Sequence, residues 1–296
     1  MISVVGPTAA GKSDLAVDIA LRLGGEAVNT DSMQLYRGMD IGTAKMTPAE
    51  RRGVPHHLLD VWDVTEAASV AEYQGLARTA IGGIRDRGRI PVLVGGSGLY
   101  VRAALDHLEF PGTDPAVRAR LEAELDDLGP AALHTRLSGL DPAAGLAILA
   151  SNGRRIVRAL EVIEITGRPF TANLPQHSYL DPETVQVGLL VPRPELDERI
   201  ALRVDRMWEA GLVAEVRALE PLGVREGRTA AAALGYAQVL RFLAGECSED
   251  EAREETVRAT RRFARRQESW FRRDPRITWL PYDAPDLLDQ ALKICS

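Results

Sequence analysis

The residues best equipped for chemistry come first in the chain. Gly6-Pro7-Thr8-Ala9-Ala10-Gly11-Lys12-Ser13 has the spacing Gly-x-x-x-x-Gly-Lys-Ser, with the apolar run Ile2-Ser3-Val4-Val5 before it and an apolar-periodic segment from Leu15 to Leu23 after it. Strand, glycine-rich turn and helix in that order make a cradle for phosphate. Gly6 and Gly11 let the backbone turn its N–H groups inward, Lys12 adds a positive charge, and the Ser13 hydroxyl can hold a Mg²⁺ ion. A ligand carrying a di- or triphosphate is expected here.

Two further strand ends carry polar groups. Glu26-Ala27-Val28-Asn29-Thr30 reads as a strand that ends at Asp31. Ligands of open α/β sheets bind beyond the carboxyl ends of strands, where a carboxylate can take a proton from a nucleophile or help hold Mg²⁺. A turn or cap aspartate fits the same spacing equally well. Gln34, three residues on, offers a donor and an acceptor to a base edge, although a solvated loop residue also fits its position. The strand Ile90-Pro91-Val92-Leu93-Val94 ends in Gly95-Gly96-Ser97, where nucleotide hydrolases place a metal-binding aspartate. The missing aspartate lowers the case for a hydrolase and leaves a kinase, or a transferase that releases diphosphate. Ser97 can hydrogen-bond a phosphate or a base edge.

A third concentration is basic. Between Arg258 and Arg276 stand eight arginines against Glu268 and Asp274, in a chain whose formal net charge is −6. Local charge governs association with a polyanion, so this segment outweighs the total. Arg258, Arg262 and Arg265 share a helical face, and Phe263, Trp270 and Phe271 interleave with them as core anchors or stacking platforms. Arg154, Arg155 and Arg158 form a smaller cluster. His56-His57 lacks the company a metal site needs.

These groups need a scaffold. Strand–helix alternation through residues 2–105 predicts a parallel sheet covered on both faces. Ser69 is placed to cap a helix over 70–87, and residues 37–65 read as a long functional loop. From residue 113 to 182 the pattern becomes helical, punctuated by Asp114-Pro115, Gly129-Pro130 and Asp141-Pro142. Residues 185–191 then return as a strand, helices follow at 195–210 and 213–220, Ser248 starts a long final helix, and residues 277–280 form a last strand. The expected fold is therefore α/β: a P-loop NTPase-like parallel core (1–112 and 183–296) with an all-helical insertion (113–182). No apolar run reaches the ~18–20 residues of a membrane span. No secretory signal precedes the first strand, and the two cysteines fit neither a disulfide framework nor a zinc site, so a cytoplasmic location is expected.

Taken together, these motifs resemble the tRNA dimethylallyltransferase family, also called isopentenylpyrophosphate:tRNA transferases. The matching pieces are residues 6–13, 31–45, 55–60, 94–100, 154–162 and 234–236, and the arginine-rich helix with Gln267, Trp270 and Phe271, in family order over nearly the whole chain. The resemblance implies transfer of a dimethylallyl group from dimethylallyl diphosphate to the exocyclic amine of the adenosine just 3′ of the anticodon. It implies that residues 6–13 hold the donor diphosphate, with Gly6, Pro7, Thr8, Ala9, Ala10, Gly11, Lys12 and Ser13 all in the loop. Ser13 matches the Mg²⁺ ligand and Asp31 the general base. Asp31, Ser32, Met33 and Gln34 match the tRNA-contacting stretch, Ser97 matches a hydroxyl that helps place the acceptor, and Arg118, Arg154, Arg155 and Arg158 match further tRNA contacts. Arg262 and Arg265 belong to the basic helix expected to grip the anticodon stem-loop. Ala232 stands where many members carry Arg or Gln. The absence of a Cys/His extension after residue 280 is similar to bacterial-type members, and a monomer without an obligate protein partner is expected. Other readings are an isopentenyltransferase acting on AMP, ADP or ATP, a small-molecule kinase, and a catalytically impaired RNA-binding protein.

Overall fold

The computed structural model describes residues 1–170 and 177–295. They divide into two compact units, Met1–Asp106 with Tyr179–Ser296, and His107–Ser178.

The first unit is built on a six-stranded, all-parallel sheet. Its strands are Ile2–Val5 (β1), Glu26–Asn29 (β2), His56–His57 (β3), Pro91–Val94 (β4), Val185–Leu190 (β5) and Ile277–Pro281 (β6), in the spatial order β3-β2-β4-β1-β5-β6. The short runs of β1 and β2 are buried at every residue, as a sheet covered on both faces requires. Helices Lys12–Leu23 (α1), Val70–Asp86 (α2) and Gly98–Leu105 (α3) follow β1, the long loop and β4. Arg193–Glu209 (α7), Leu212–Leu219 (α8), Tyr236–Leu243 (α9), Glu249–Phe271 (α10) and Leu287–Cys295 (α11) complete the unit; the three helices between α3 and α7 in the chain belong to the second unit. Local signals act where they were expected. The Ser69 hydroxyl accepts from the Glu72 amide at the start of α2, and Ser248 and Glu251 form a capping box on α10. In the long loop only the two-residue β3 forms regular strand.

The strand order has a direct consequence for the chemistry. β4 lies between β2 and β1, so the loop after β4 emerges between the loops that follow β2 and β1. The turn bearing Ser97 is thereby placed between Asp31 and the phosphate loop.

The second unit is helical among its described residues: Pro115–Leu140 (α4), Pro142–Ala147 (α5) and Gly153–Thr166 (α6). Each Asp-Pro or Gly-Pro pair marks a boundary. Asp114 and Asp141 cap with their carboxylates, and α4 breaks at Gly129 (φ 77°, ψ 164°) just before Pro130. Leu121, Leu133, Leu137, Ile156, Val157 and Leu160 form its core. Among the described residues no helix is long and apolar enough to cross a membrane.

Candidate active site

The phosphate loop closes over the end of β1. Gly11 holds φ 94°, a left-handed conformation that favours glycine, and Ala9 is held at φ 63° beside it. Alternation of this kind turns consecutive N–H groups toward one point and makes a concavity for an anion. The Arg199 guanidinium fixes the loop from outside by donating to the Ala9 carbonyl (2.7 Å). Lys12 folds back onto its own loop and donates to the Pro7 carbonyl at 2.6 Å. Its ammonium lies among protein atoms, although the residue keeps some accessible surface. Desolvation, and then the nearby Arg203, bring its pKa down to about 7 from 10.5, against the pull of Asp31. The Ser13 hydroxyl makes no hydrogen bond to the described residues.

Asp31 is set by its neighbours. Its carboxylate Oδ1 accepts from the Met33 amide (2.9 Å), and its own amide donates to Asn29 Oδ1 (2.8 Å). Asn29 Nδ2 returns a bond to the Asp31 carbonyl (2.9 Å) and another to Leu58 (3.0 Å). Tyr73, whose phenol burial keeps protonated, donates to the Asn29 carbonyl (2.8 Å). One carboxylate oxygen thus serves the turn, and Oδ2 carries no protein hydrogen bond among the described residues. Ser97 faces Ser32: its hydroxyl accepts from the Ser32 amide at 3.1 Å and lies 3.2 Å from the Ser32 hydroxyl.

Asp31, Ser32 and Ser97 line a cavity of about 300 Å³ that meets the phosphate loop at Thr8. Thr8, Asp31, Ser32, Ser97 and Arg203 supply polar lining, and Ile200, Val204, Met207, Ala233 and Phe263 an apolar wall. Met33, Ala232 and Arg266 also reach it. Arg203 has no salt bridge or hydrogen bond among the described residues; burial pulls its pKa down and Asp31 holds it up. Sequence reading did not single it out, because one arginine in a charged helix gives no signal until that helix is packed.

Other residues singled out by sequence have more local tasks. Gln34 donates to the carbonyls of Thr43 (3.1 Å) and Ala44 (3.3 Å) and so braces the long loop. That loop is gripped from α8: Glu215 accepts from the amides of Asp40, Ile41 and Gly42 and from the Tyr236 hydroxyl. In the helical unit Arg118 and Arg158 both pair with buried Glu161. Their charge is engaged inside the unit, with the guanidinium groups part-exposed. Arg154 and Arg155 are exposed at the start of α6.

The basic helix is less uniform than its local composition implies. Arg258 pairs with Glu254 and Glu255, Arg262 with Glu255, and Arg276 with Asp106 and Asp274, while Arg261 donates to the Asp197 carbonyl. Apart from Asp274, these acids lie outside the segment, on earlier turns of α10 and at Asp106, so counting within the segment overstated its free charge. Arg265, Arg266, Arg272 and Arg273 form no salt bridge among the described residues. Phe271 is core, Phe263 lines the cavity, and Trp270 covers the Gly98 turn.

A phosphate loop, a strand-end carboxylate and a cationic cavity with an apolar wall, on a parallel sheet with a separate helical unit, define an α/β phosphate-loop protein suited to group transfer. The IPP transferase family model matches residues 34–274, and the chain belongs to that family. It is 73% identical over 299 residues to a tRNA dimethylallyltransferase of Thermobifida fusca, covering 99% of this chain and 93% of that one. It is 74% identical over 289 residues to one of Streptomyces avermitilis, covering 98% and 92%. Among solved structures it is similar to the full-length tRNA isopentenylpyrophosphate transferase of Bacillus halodurans (42% identity, TM-score 0.72, 99% and 93% covered). It is also similar to a eukaryotic dimethylallyltransferase acting on tRNA (25% identity, TM-score 0.84, 99% and 76% covered).

Proposed function

We propose that this protein is a prenyltransferase that moves a dimethylallyl group from dimethylallyl diphosphate to the exocyclic N6 amine of the adenosine 3′-adjacent to the anticodon of tRNA. The observation that carries the reading is the shared cavity. It brings the Asp31 carboxylate, the Ser97 hydroxyl and the Arg203 cation to the mouth of the phosphate loop, beside an apolar wall.

The chemistry suits these groups. An adenine amine is a weak nucleophile because its lone pair is delocalised into the ring. Allylic carbon tolerates positive charge, and diphosphate leaves well when its developing charge is held. The loop amides, Lys12 and Arg203 hold the diphosphate as the C–O bond breaks. The amine nitrogen forms the new bond to carbon, and its proton passes to Asp31 Oδ2 and then to solvent. Ser97 and Ser32 orient the acceptor, and the apolar wall from α7 and α10 takes the prenyl carbons and keeps water away. A base must leave its stack to enter such a cavity, which a single-stranded loop permits more cheaply than a duplex.

Mg²⁺ fits this donor set. The Ser13 hydroxyl is uncommitted, and among the described residues no cluster of three acidic, His or Cys side chains forms a metal cage. Mg²⁺ binds readily through one or two protein groups plus substrate phosphates and water. When bound, it would offset diphosphate charge.

Arg265, Arg266 and Arg273, which form no salt bridge among the described residues, and exposed Arg154 and Arg155, support an RNA acceptor over free AMP. A soluble monomer in the cytoplasm is part of the same proposal. The test is incubation with dimethylallyl diphosphate and either tRNA or AMP: mass gain on tRNA alone is expected. Gain on AMP, or phosphate transfer from ATP to a small hydroxylated acceptor, would replace the proposal with the isopentenyltransferase or kinase reading.

A further inference from the structure

Helix α10 brings two kinds of side chain to the site. Arg265 and Arg266, without an acidic partner among the described residues, stand next to Gln267, and Arg266 reaches the cavity. Gln267 and Trp270, one turn apart, lie against the loops after β1 and β4. Gln267 is buried, and both ends of its amide are used. Its carbonyl accepts from the Thr8 amide of the phosphate loop at 2.9 Å. Its NH₂ donates at 2.9 Å to the carbonyl of Gly96, next to Ser97. No other side chain among the described residues hydrogen-bonds both the phosphate loop and this turn.

The fit is close. A Cβ on Gly96 would overlap Gln267 Nε2, and one on Gly98 would overlap the Trp270 ring. The position needs an acceptor and a donor on opposite edges of one planar group. An ionised glutamate lacks the donor, leucine lacks both, and asparagine is a methylene short. With the Thr8 amide directed at Gln267, the orientation of the phosphate loop is set from outside the anion cradle.

We propose that Gln267 is a positioning residue for the transfer. It sets the distance between the phosphate loop and the Ser97 turn, and it ties that distance to the helix bearing the free arginines. Docking of an RNA backbone on α10 is thereby coupled to the geometry of the donor site, and the coupling runs both ways. This rests on the prenyl-transfer reading above.

The test uses the whole protein with Gln267→Glu and Gln267→Leu. At pH 8 the carboxylate still accepts from Thr8 but opposes the Gly96 carbonyl, and kcat should fall about 10- to 100-fold, while KM for tRNA stays within about twofold. Burial raises the pKa of a carboxyl group, and once protonated it can again donate to Gly96. The Gln267→Glu to wild-type ratio of kcat should therefore climb at least about fivefold between pH 8 and pH 6, and the Gln267→Leu ratio should stay flat. A folded Gln267→Glu protein with kcat within about twofold of wild type across that range overturns the inference. So does a Gln267→Leu ratio that climbs in the same way. If both variants fail to fold, hydrogen exchange in the unsubstituted protein decides. Saturating anticodon stem-loop should slow exchange of the Thr8 amide at least about tenfold, and unchanged exchange overturns the link. Failure of the unsubstituted protein to prenylate tRNA, seen before any variant is made, overturns the functional reading instead.

Discussion

Binding of a diphosphate to this protein should take up a proton at Lys12. In the free protein the ammonium is held among protein atoms, with Arg203 nearby, and titrates at about 7. At pH 8 only about one molecule in ten carries the proton, and at pH 6 about nine in ten do. A bound diphosphate places negative charge against the amine and restores a pKa well above 8, so the charged form is bound preferentially. Uptake at this residue is then about 0.9 proton at pH 8 and about 0.1 at pH 6. The sign follows from a pKa lowered in the free protein and raised by the ligand: affinity weakens as pH rises above 7, approaching tenfold per pH unit. The assay is titration calorimetry with dimethylallyl diphosphate in two buffers of different ionisation enthalpy, on wild type and Lys12→Met. The difference between the two proteins removes the ligand's own titration. Equal uptake at pH 8 in both would refute the placement of Lys12 against the diphosphate.

Three other substitutions probe separate parts of the structure. Asp31→Asn keeps the bond from the Met33 amide but cannot take a proton; transfer should fall about 10²-fold or more with tRNA affinity nearly unchanged, and unaltered single-turnover rates would remove Asp31 as the base. Arg265→Ala with Arg266→Ala should lower the slope of log affinity for tRNA against log salt by about 1.5, whereas Arg262→Ala, whose charge is paired with Glu255, should change it by less than about 0.5. Equal effects would mean that these pairings do not govern the RNA contact. In the helical unit, burial raises the Glu161 pKa, but its bonds to Arg118 and Arg158 win and hold it below the ordinary carboxylate range. Its stabilising contribution is present above that range and lost as pH falls through the folded value. Glu161→Gln should cost the unit about 2–3 kcal/mol at neutral pH, allowing for the part-exposed arginines, and leave it less sensitive to acid, as thermal melts would show.

What was legible in the sequence was what is contiguous. The phosphate loop is one run of eight residues, Asp31 and Ser97 each follow an apolar strand, and the proline-marked helix starts at 115 and 142 stand where their local chemistry puts them. What was not legible needs partners far apart in the chain. Gln267 meets Thr8 across 259 positions, Arg276 meets Asp106 across 170, and Glu215 meets the 40–42 amides across about as many. Arg203 becomes a site residue only because α7 packs against α10, and Asn29 only because the turn after β2 folds back on it. The free charge of the basic helix was overcounted because Glu254 and Glu255 lie one turn before the segment and Asp106 far from it in the chain.

The central claim is that one cavity holds the donor diphosphate on the phosphate loop and the acceptor amine at Asp31. Its most direct test is a crystal structure with a non-reactive thiodiphosphate analogue of the donor and an anticodon stem-loop. The account predicts the diphosphate on the uncommitted amides of the phosphate loop after Thr8, within reach of Lys12 and Arg203, and an extruded adenine with its amine hydrogen-bonded to the Asp31 carboxylate. A diphosphate bound elsewhere, or an adenine whose amine faces away from Asp31, would contradict it.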